Sequence, residues 1–142
     1  MKEKIFRQLE PIALANPGTQ GRVKMAAGIV YRNRLVSTGV NSYKTHPLML
    51  EYGKNEDAIF LHSEIDAIKN ALRVIPEEKL QKCDIYILRL KRSLDKKSWI
   101  HGLAKPCCGC ARAIVSFGIR NVYWTEDYDY VFKNHNSLDM AG

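Results

Sequence analysis

The chain has 142 residues, a length that fits one compact domain over residues 1–142 with a single core. Its 22 Lys and Arg against 15 Asp and Glu give a net charge of +7, which favours anionic partners such as nucleotides or nucleic acid. No stretch approaches the ~20 apolar residues that span a bilayer, and the charged N-terminus lacks the apolar run of a secretory signal. We therefore expect a cytoplasmic protein without a membrane segment, whose thiols stay reduced.

The first half of the chain predicts a helix and a β-hairpin. Apolar residues at helical spacing predict a helix over 2–15, which Pro11 would kink or restart. After a turn at 16–21, two strands are predicted within 23–40, with a tight reversal at residues 33–34. The segment NSYKTHP (41–47) is a predicted loop, and 48–61 carries no clear pattern.

The second half predicts a strand–helix–strand unit. An amphipathic helix over 62–75 stops at Pro76, a strand follows at 83–90, and 91–105 is a long polar connection. Pro106 is expected in the first turn of a helix over 107–117, which Gly118 caps, and 119–125 is a further strand. A helix between two such strands implies a parallel pair, so we predict an α/β fold with a mixed sheet covered by helices.

Three of the four cysteines fall within the stretch AKPCCGC at 104–110. A disulfide, a redox pair and a metal site are the alternatives, and both the reducing compartment and the strain of a vicinal ring disfavour the disulfide. Cys107 and Cys110 face the same way on a first helical turn, where the positive end of the helix favours thiolates. Cys108 points elsewhere on the helix, and Cys83 in an apolar strand is interpreted as a small core residue.

Two sulfurs leave a metal site incomplete, whereas a catalytic zinc site has three protein ligands and an open position for water. The histidines from which the third ligand would come are His46, His62, His101 and His135. His62 is the strongest candidate, because it opens a helix and Glu64 follows two residues later, within reach of a metal-bound water. The segments HSE (62–64) and PCCGC (106–110) together match the signature of zinc deaminases, in which the glutamate is a general acid–base and not a ligand.

With these motifs, the chain resembles the cytidine and deoxycytidylate deaminase superfamily over residues 22–126. The hairpin ending in GVN, the LHSEIDAI helix and the segment AKPCCGCARAIVSFGIRNVYW carry the resemblance. Within this superfamily, the chain is most similar to deoxycytidylate deaminase of the phage type, and tRNA adenosine deaminase is a more distant relative. The resemblance implies a three-layer sandwich with a mixed five-stranded sheet, Zn²⁺ held by His62, Cys107 and Cys110, and a homo-oligomer.

The resemblance also implies roles at the substrate. Glu64 would be the catalytic proton carrier, Asn41 would contact the sugar or base, and the backbone N–H of Ser63 would bind the pyrimidine carbonyl. For Asn41 the simpler interpretation is a turn residue. The positive charge of the chain adds Lys44 and His46 as candidates for contact with a phosphate.

Other side chains are open to two interpretations. Arg22 and Lys24, before the first strand, would reach a phosphate or would be solvated surface charges. Trp99 and His101, in the connection before the cysteine helix, would stack on a base, or Trp99 would only anchor the connection to the core.

We expect hydrolytic deamination of a cytosine nucleotide, namely dCMP to dUMP and ammonia. The alternative is deamination of cytosine or adenine in single-stranded nucleic acid, for which the basic segment KRSLDKKSW (91–99) is suggestive. A zinc-stabilised binding module without catalysis is the third hypothesis, and it would have no use for Glu64.

Overall fold

The chain alternates helices and strands, and a computed structural model describes residues 2–16, 23–42, 62–127 and 135–136 of it. The described residues form the α-helices α1 (Lys2–Leu14), α2 (Ser63–Ala71) and α3 (Cys108–Ser116), and a 3-10 helix over Glu77–Lys82. The strands are β1 (Val23–Tyr31), β2 (Arg34–Val40), β3 (Asp84–Arg92), β4 (Trp99–Gly102), β5 (Asn121–Trp124) and β6 (His135–Asn136). None of the helices in these ranges combines the length and the apolar character that crossing a membrane requires.

The described strands join in one mixed sheet. Five of them lie in the order β2-β1-β3-β5-β6, and β4 pairs with β3 beside this path. β3 and β5 are parallel, with α3 between them in the chain, and the other pairs are antiparallel. The predicted α/β fold with a mixed sheet is confirmed, including the parallel pair.

Helices cover both faces of the sheet, because successive strand residues point to opposite faces and both sets are apolar. The residues buried against α1 include Phe6, Leu9, Tyr86 and Leu88. The residues buried with α2 and α3 include Ile68, Ile85, Ile87 and Ile114. The three layers are therefore α1, the sheet, and the pair α2 and α3.

Two predicted boundaries in the first half of the chain differ from the structure. The hairpin reverses at Arg32 and Asn33, one residue earlier than predicted, with positive φ angles of 51° and 65°. Two such residues form a turn whose twist matches that of a hairpin. α1 runs unbroken through Pro11, so the helix does not restart there.

The second half differs in three places. α2 ends at Ala71, short of the predicted residue 75. The N–H groups of Val74 and Ile75 both donate hydrogen bonds to the Ala71 carbonyl. Pro106 precedes the N-cap residue of α3 instead of occupying its first turn, whereas Gly118 has the predicted left-handed conformation (φ 75°). The segment 91–105, predicted to be a long polar connection, contains the end of β3 and all of β4. A strand of four residues is at the lower limit of recognisable alternation, and its pairing with β3 decides its conformation.

Candidate metal centre

The N-termini of α2 and α3 meet at one point. His62 is the N-cap residue of α2 and Cys107 is the N-cap residue of α3, each with an extended backbone conformation. Cys110 follows in the first turn of α3. Because the positive ends of both helix dipoles converge here, the site favours anionic groups such as thiolates.

The donor atoms of His62, Cys107 and Cys110 all lie within 4.8 Å of one another. Nδ1 of His62 is 3.2 Å from Sγ of Cys110 and 3.8 Å from Sγ of Cys107. Zn–S bonds of about 2.3 Å and Zn–N bonds of about 2.0–2.1 Å at a tetrahedral angle would separate nitrogen from sulfur by about 3.6 Å, between the two distances. The cluster therefore fits Zn²⁺ and leaves a fourth position for another ligand, as the sequence motifs predict.

The two sulfurs of the cluster share a hydrogen bond, which moves their pKa values in opposite directions. The pKa of Cys107 falls to about 3, chiefly because the Cys110 thiol donates a hydrogen bond to it, and the contact with His62 lowers it further. That same hydrogen bond, with burial, raises the pKa of Cys110 well above its ordinary value. His62 lies nearer to Cys110, yet its pKa is raised mainly by Cys107, because Cys107 is the sulfur that carries the negative charge. Metal binding would draw on both sulfurs as thiolates, so it would release protons from the cluster.

Glu64 lies beside this cluster in the first turn of α2, with only 3% of its surface exposed. Burial raises the pKa of its carboxyl, against the lowering effect of the hydrogen bond that Ser63 Oγ donates to Oε1 at 2.8 Å. The negative charge of Glu64 also raises the pKa of Cys110, which reflects how near the carboxylate is to the sulfurs. A carboxyl with a raised pKa can hold a proton as well as release it, as a general acid–base must.

Close packing at Gly39 holds α2 against β2. A Cβ atom at this position would lie 2.2 Å from the backbone nitrogen of Ala67 and 2.6 Å from the carbonyl oxygen of Ser63. The Asp66 carboxylate accepts a hydrogen bond from the Val40 N–H at 3.0 Å. These contacts fix the first turn of α2 relative to the sheet, and with it the two candidate site residues on that turn.

The segment that leads into Cys107 is tied to the residue after β5. The buried Thr125 hydroxyl donates to the Gly102 carbonyl at 2.7 Å and accepts from the Arg89 N–H at 3.2 Å. The Ala104 N–H in turn donates to the Thr125 carbonyl at 2.9 Å. Cys107 is thereby placed at the edge of the sheet where the parallel strands β3 and β5 end.

Asn41 follows directly after β2, and its side chain is engaged with the protein. Its Oδ1 accepts hydrogen bonds from the Met25 N–H at 2.9 Å and from Nδ2 of Asn16 at 3.0 Å. Asn16 Nδ2 also donates to the Asn41 carbonyl at 2.7 Å. This linkage agrees with the simpler, structural interpretation of Asn41, and its contact with a substrate stays a prediction.

Trp99 and His101 lie on the α1 side of the sheet, opposite to α2 and α3. Trp99 packs against the apolar cluster of α1, with the Arg92 guanidinium 4.3 Å from its ring centroid. Nε2 of His101 lies 3.0 Å from Oε1 of Glu10 on α1. Both residues anchor β4 to the core, so neither stacks on a base at the metal centre.

The remaining residues singled out from the sequence fall into two groups. Arg22, Lys44 and His46, together with the side chain of His135, lie outside the described residues. Cys108 is exposed and is not part of the metal cluster, as predicted from its place on the helix. Cys83 is fully buried, and its thiol donates to the Lys79 carbonyl at 3.4 Å, as expected of a core residue.

Several positioning residues were not recognised from the sequence. The hydroxyls of Ser63 and Thr125 and the carboxylate of Asp66 support the centre. Only the backbone N–H of Ser63 had been singled out, and Thr125 and Asp66 lie outside HSE and PCCGC. Asp66 and Asn70 are one turn apart on α2, and Asn70 Nδ2 donates to the Thr38 carbonyl at 2.8 Å. That spacing was an available signal for a polar contact, whereas Thr125 follows a strand without any pattern.

Comparison with known proteins points to one family. The family model of the cytidine and deoxycytidylate deaminase zinc-binding region matches residues 1–126. A search of curated protein sequences found no match.

Solved structures share the fold at low sequence identity. The dCMP deaminase of the cyanophage S-TIM5 in apo form superposes with a TM-score of 0.56 at 16% identity, over 99% of this chain and 88% of that chain. Its complex with dCMP and dUMP gives the same TM-score at 18% identity and the same coverage. A structure from work on A-to-I editing by tRNA:A34 deaminases gives 0.53 at 22% identity, over 87% of this chain and 76% of that chain.

Proposed function

Because the chain belongs to the cytidine and deoxycytidylate deaminase family, we propose that it hydrolytically deaminates the cytosine of a free nucleotide, converting dCMP to dUMP and ammonia. One observation carries this proposal. The buried Glu64 carboxyl lies beside the cluster of His62, Cys107 and Cys110. A zinc site that only stabilised the fold would have no use for a buried carboxyl of raised pKa at its open side.

The ligands of the ion would be Nδ1 of His62 and the sulfurs of Cys107 and Cys110. Zinc bound there supplies a Lewis acid that lowers the pKa of a water molecule at the open position. With zinc bound, both sulfurs would be thiolates, a form that the two helix N-termini favour.

Glu64 would carry the protons of the reaction. It takes a proton from the attacking water and gives it to ring N3, which makes C4 electrophilic toward the hydroxide. After the C4–O bond has formed, Glu64 takes the proton of the new C4 hydroxyl and delivers it to the amino group, which leaves as ammonia while the C4 carbonyl forms. The hydrogen bond from Ser63 holds the carboxylate in place during both transfers.

Further residues would recognise the groups of the substrate. The backbone N–H of Ser63 belongs to the first turn of α2, whose N–H groups have no partner within the helix, and it would bind the pyrimidine carbonyl. Asn41 would contact the sugar or base, and Lys44 and His46 would contact the phosphate. The net charge of +7 supports a phosphorylated substrate over a bare nucleoside.

Product analysis with a panel of substrates tests this function. The zinc-loaded protein is incubated with dCMP, dCTP, cytidine, and oligonucleotides that carry cytosine or adenine, and released ammonia and uracil are followed. We expect dCMP to be turned over with the highest kcat/KM. Turnover of an oligonucleotide alone would replace this proposal with an editing function, and no turnover of any substrate would favour a binding module.

A second candidate function is deamination of cytosine or adenine in single-stranded nucleic acid. The turn between β3 and β4 exposes Lys96 and Lys97, and Leu94 at this turn is 95% exposed. Exposed cations near an apolar side chain suit the backbone and bases of a single strand. The oligonucleotide arms of the panel decide between the two candidates.

A further inference from the structure

Arg89 is a cation on the face of β3 that carries the metal centre. Along this strand, Ile85 and Ile87 are buried with α2 and α3, while Tyr86 and Leu88 are buried against α1. Because strand residues alternate between the faces, Arg89 continues the row of Ile85 and Ile87. On this face a guanidinium therefore follows two buried isoleucines, in the half of β3 that is nearer to the metal centre.

The position of Arg89 in the sheet places it across from Asn41. The Met25 N–H donates to Asn41, Met25 is paired with Arg89, and Arg89 is paired with Gly102. Neighbouring strands are about 4.8 Å apart, so about 10 Å separates Arg89 from Asn41 along this row. A Cβ atom on Gly102 would lie 3.1 Å from Cδ of Arg89, so the arginine stem packs on the segment that leads to Cys107.

The guanidinium of Arg89 is incompletely paired among the described residues. One terminal nitrogen, Nη1, donates to the Leu103 carbonyl at 3.3 Å, while the buried Nε has no hydrogen-bond partner in these ranges. No described carboxylate forms a salt bridge with Arg89. The neighbouring Asp127 is engaged instead by Lys91, at 2.9 Å, and by the Leu103 N–H at 3.0 Å.

Among the described residues, the charges around this position do not balance. Arg89 and Lys91 contribute two positive charges, whereas Asp127 contributes one negative charge and is paired with Lys91. A partly buried cation without a paired carboxylate costs free energy, and an unpaired buried donor such as Nε calls for a ligand, an ion or a water. A phosphate matches this requirement, because its oxygens accept paired hydrogen bonds from a guanidinium.

We propose that Arg89 is a further residue that binds the 5′-phosphate of the nucleotide, in addition to the contacts proposed for Lys44 and His46, and that it thereby selects nucleotides over nucleosides. This inference rests on the proposed function, since a base bound at the metal centre directs the rest of the nucleotide along the row from Asn41 to Arg89. Arg89 is a specificity residue in this role, and the chemistry at the base does not involve it. If Arg89 only supported the segment at Leu103, its substitution would change the KM for every substrate equally.

Steady-state kinetics on a matched pair of substrates test the proposal. The zinc-loaded wild type and Arg89→Gln are compared with dCMP and with deoxycytidine, which lacks the phosphate. Because a hydrogen bond to a charged group is lost, we expect the KM for dCMP to rise about tenfold to a hundredfold while the KM for deoxycytidine stays within about twofold. Equal changes for both substrates, or an unchanged KM for dCMP, would overturn the assignment.

Two further variants serve as controls for the loss of charge and for the loss of the guanidinium. Arg120→Gln removes the same charge at the opposite end of β3, where the guanidinium pairs with Asp84, and is expected to change neither KM by more than about twofold. Arg89→Lys keeps the charge without the fork of donors, so we expect a smaller rise of the KM for dCMP. Zinc content and Tm are measured for each variant, and Arg89→Lys decides by the same criteria if Arg89→Gln does not fold.

Failure of the proposed function is distinguished by a binding measurement. If the wild type turns over neither compound, inorganic phosphate is titrated into the zinc-loaded wild type and into Arg89→Gln by calorimetry. Binding to the wild type that weakens at least about tenfold in the variant supports the phosphate site. Equal binding to both proteins, or no binding to the wild type, refutes it.

Discussion

At the scale of single residues, surroundings give two neighbouring acids of α2 different roles. Glu64 is buried beside the metal cluster and accepts a hydrogen bond from Ser63. Asp66, two residues later, accepts from the Val40 N–H and forms an ion pair with Lys69 at 2.9 Å. The first carboxylate is placed for chemistry, and the second joins the helix to the sheet.

This difference leads to a prediction for Glu64→Gln. The amide cannot carry protons, so we expect kcat to fall by about 10²- to 10⁴-fold, while bound zinc, measured by elemental analysis, stays at the wild-type level. Asp66→Asn is the matched control in the same helix. It should lower Tm, whereas its kcat should fall far less than that of Glu64→Gln. Substantial turnover by Glu64→Gln would exclude this residue as the proton carrier.

At the scale of elements, the site depends on how closely a helix approaches a strand. α2 lies on β2 at Gly39, where a Cβ atom would overlap backbone atoms that cannot move without shifting the helix. Ser37 adds a hydrogen bond from its hydroxyl to the Ala67 carbonyl at 2.8 Å. Because the helix also carries His62 at its N-cap, packing at Gly39 sets the position of a metal ligand.

We predict that Gly39→Ala destabilises the protein and weakens zinc binding together. The added methyl group overlaps backbone, so the free energy of unfolding should fall by about 3 kcal/mol or more, measured by denaturant titration. Gly28→Ala is the control, because its Cβ would meet the flexible end of Leu35, 2.5 Å away, and should cost less. Equal effects of the two substitutions would argue against a special role of the contact at Gly39.

At the scale of the whole molecule, the metal centre connects parts of the chain that are far apart in sequence. His62 and Cys107 are separated by 45 residues, and β3 and β4 lie between them. A metal ion held by both joins the N-termini of α2 and α3 on one face of the sheet. Since the unfolded chain does not present these ligands together, metal binding contributes to folding stability.

Removing the metal should therefore lower Tm. A ligand that binds only the folded state stabilises it by about 2.7 kcal/mol at a free concentration of 100 Kd, so a chelator should shift thermal unfolding of zinc-loaded protein to lower temperature. Cys108→Ser should respond like the wild type, because Cys108 is exposed outside the cluster. Cys107→Ser should have a low Tm that the chelator does not change, and an equal response of both variants would contradict the assigned ligands.

The motifs and the periodic segments were predictable because their signals are local. HSE and PCCGC each lie within one helical turn, and the spacing of Cys107 and Cys110 alone places both sulfurs on one side. The strands at 23–40 and 83–90 were recognised from runs of apolar and β-branched residues. β4 was not recognised, because four residues carry too little pattern and their conformation depends on β3.

What the sequence by itself determined is the α/β fold and the set of residues from which a zinc centre is built, since residue type and short spacing suffice for both. Only the tertiary structure decided that His62 meets the two sulfurs, that Ser63 and Thr125 support the centre, and that Trp99 lies on the opposite face. These outcomes depend on contacts between segments that are distant in the chain. Such contacts are set by the packing of α2 and α3 on the sheet, and no local pattern encodes them.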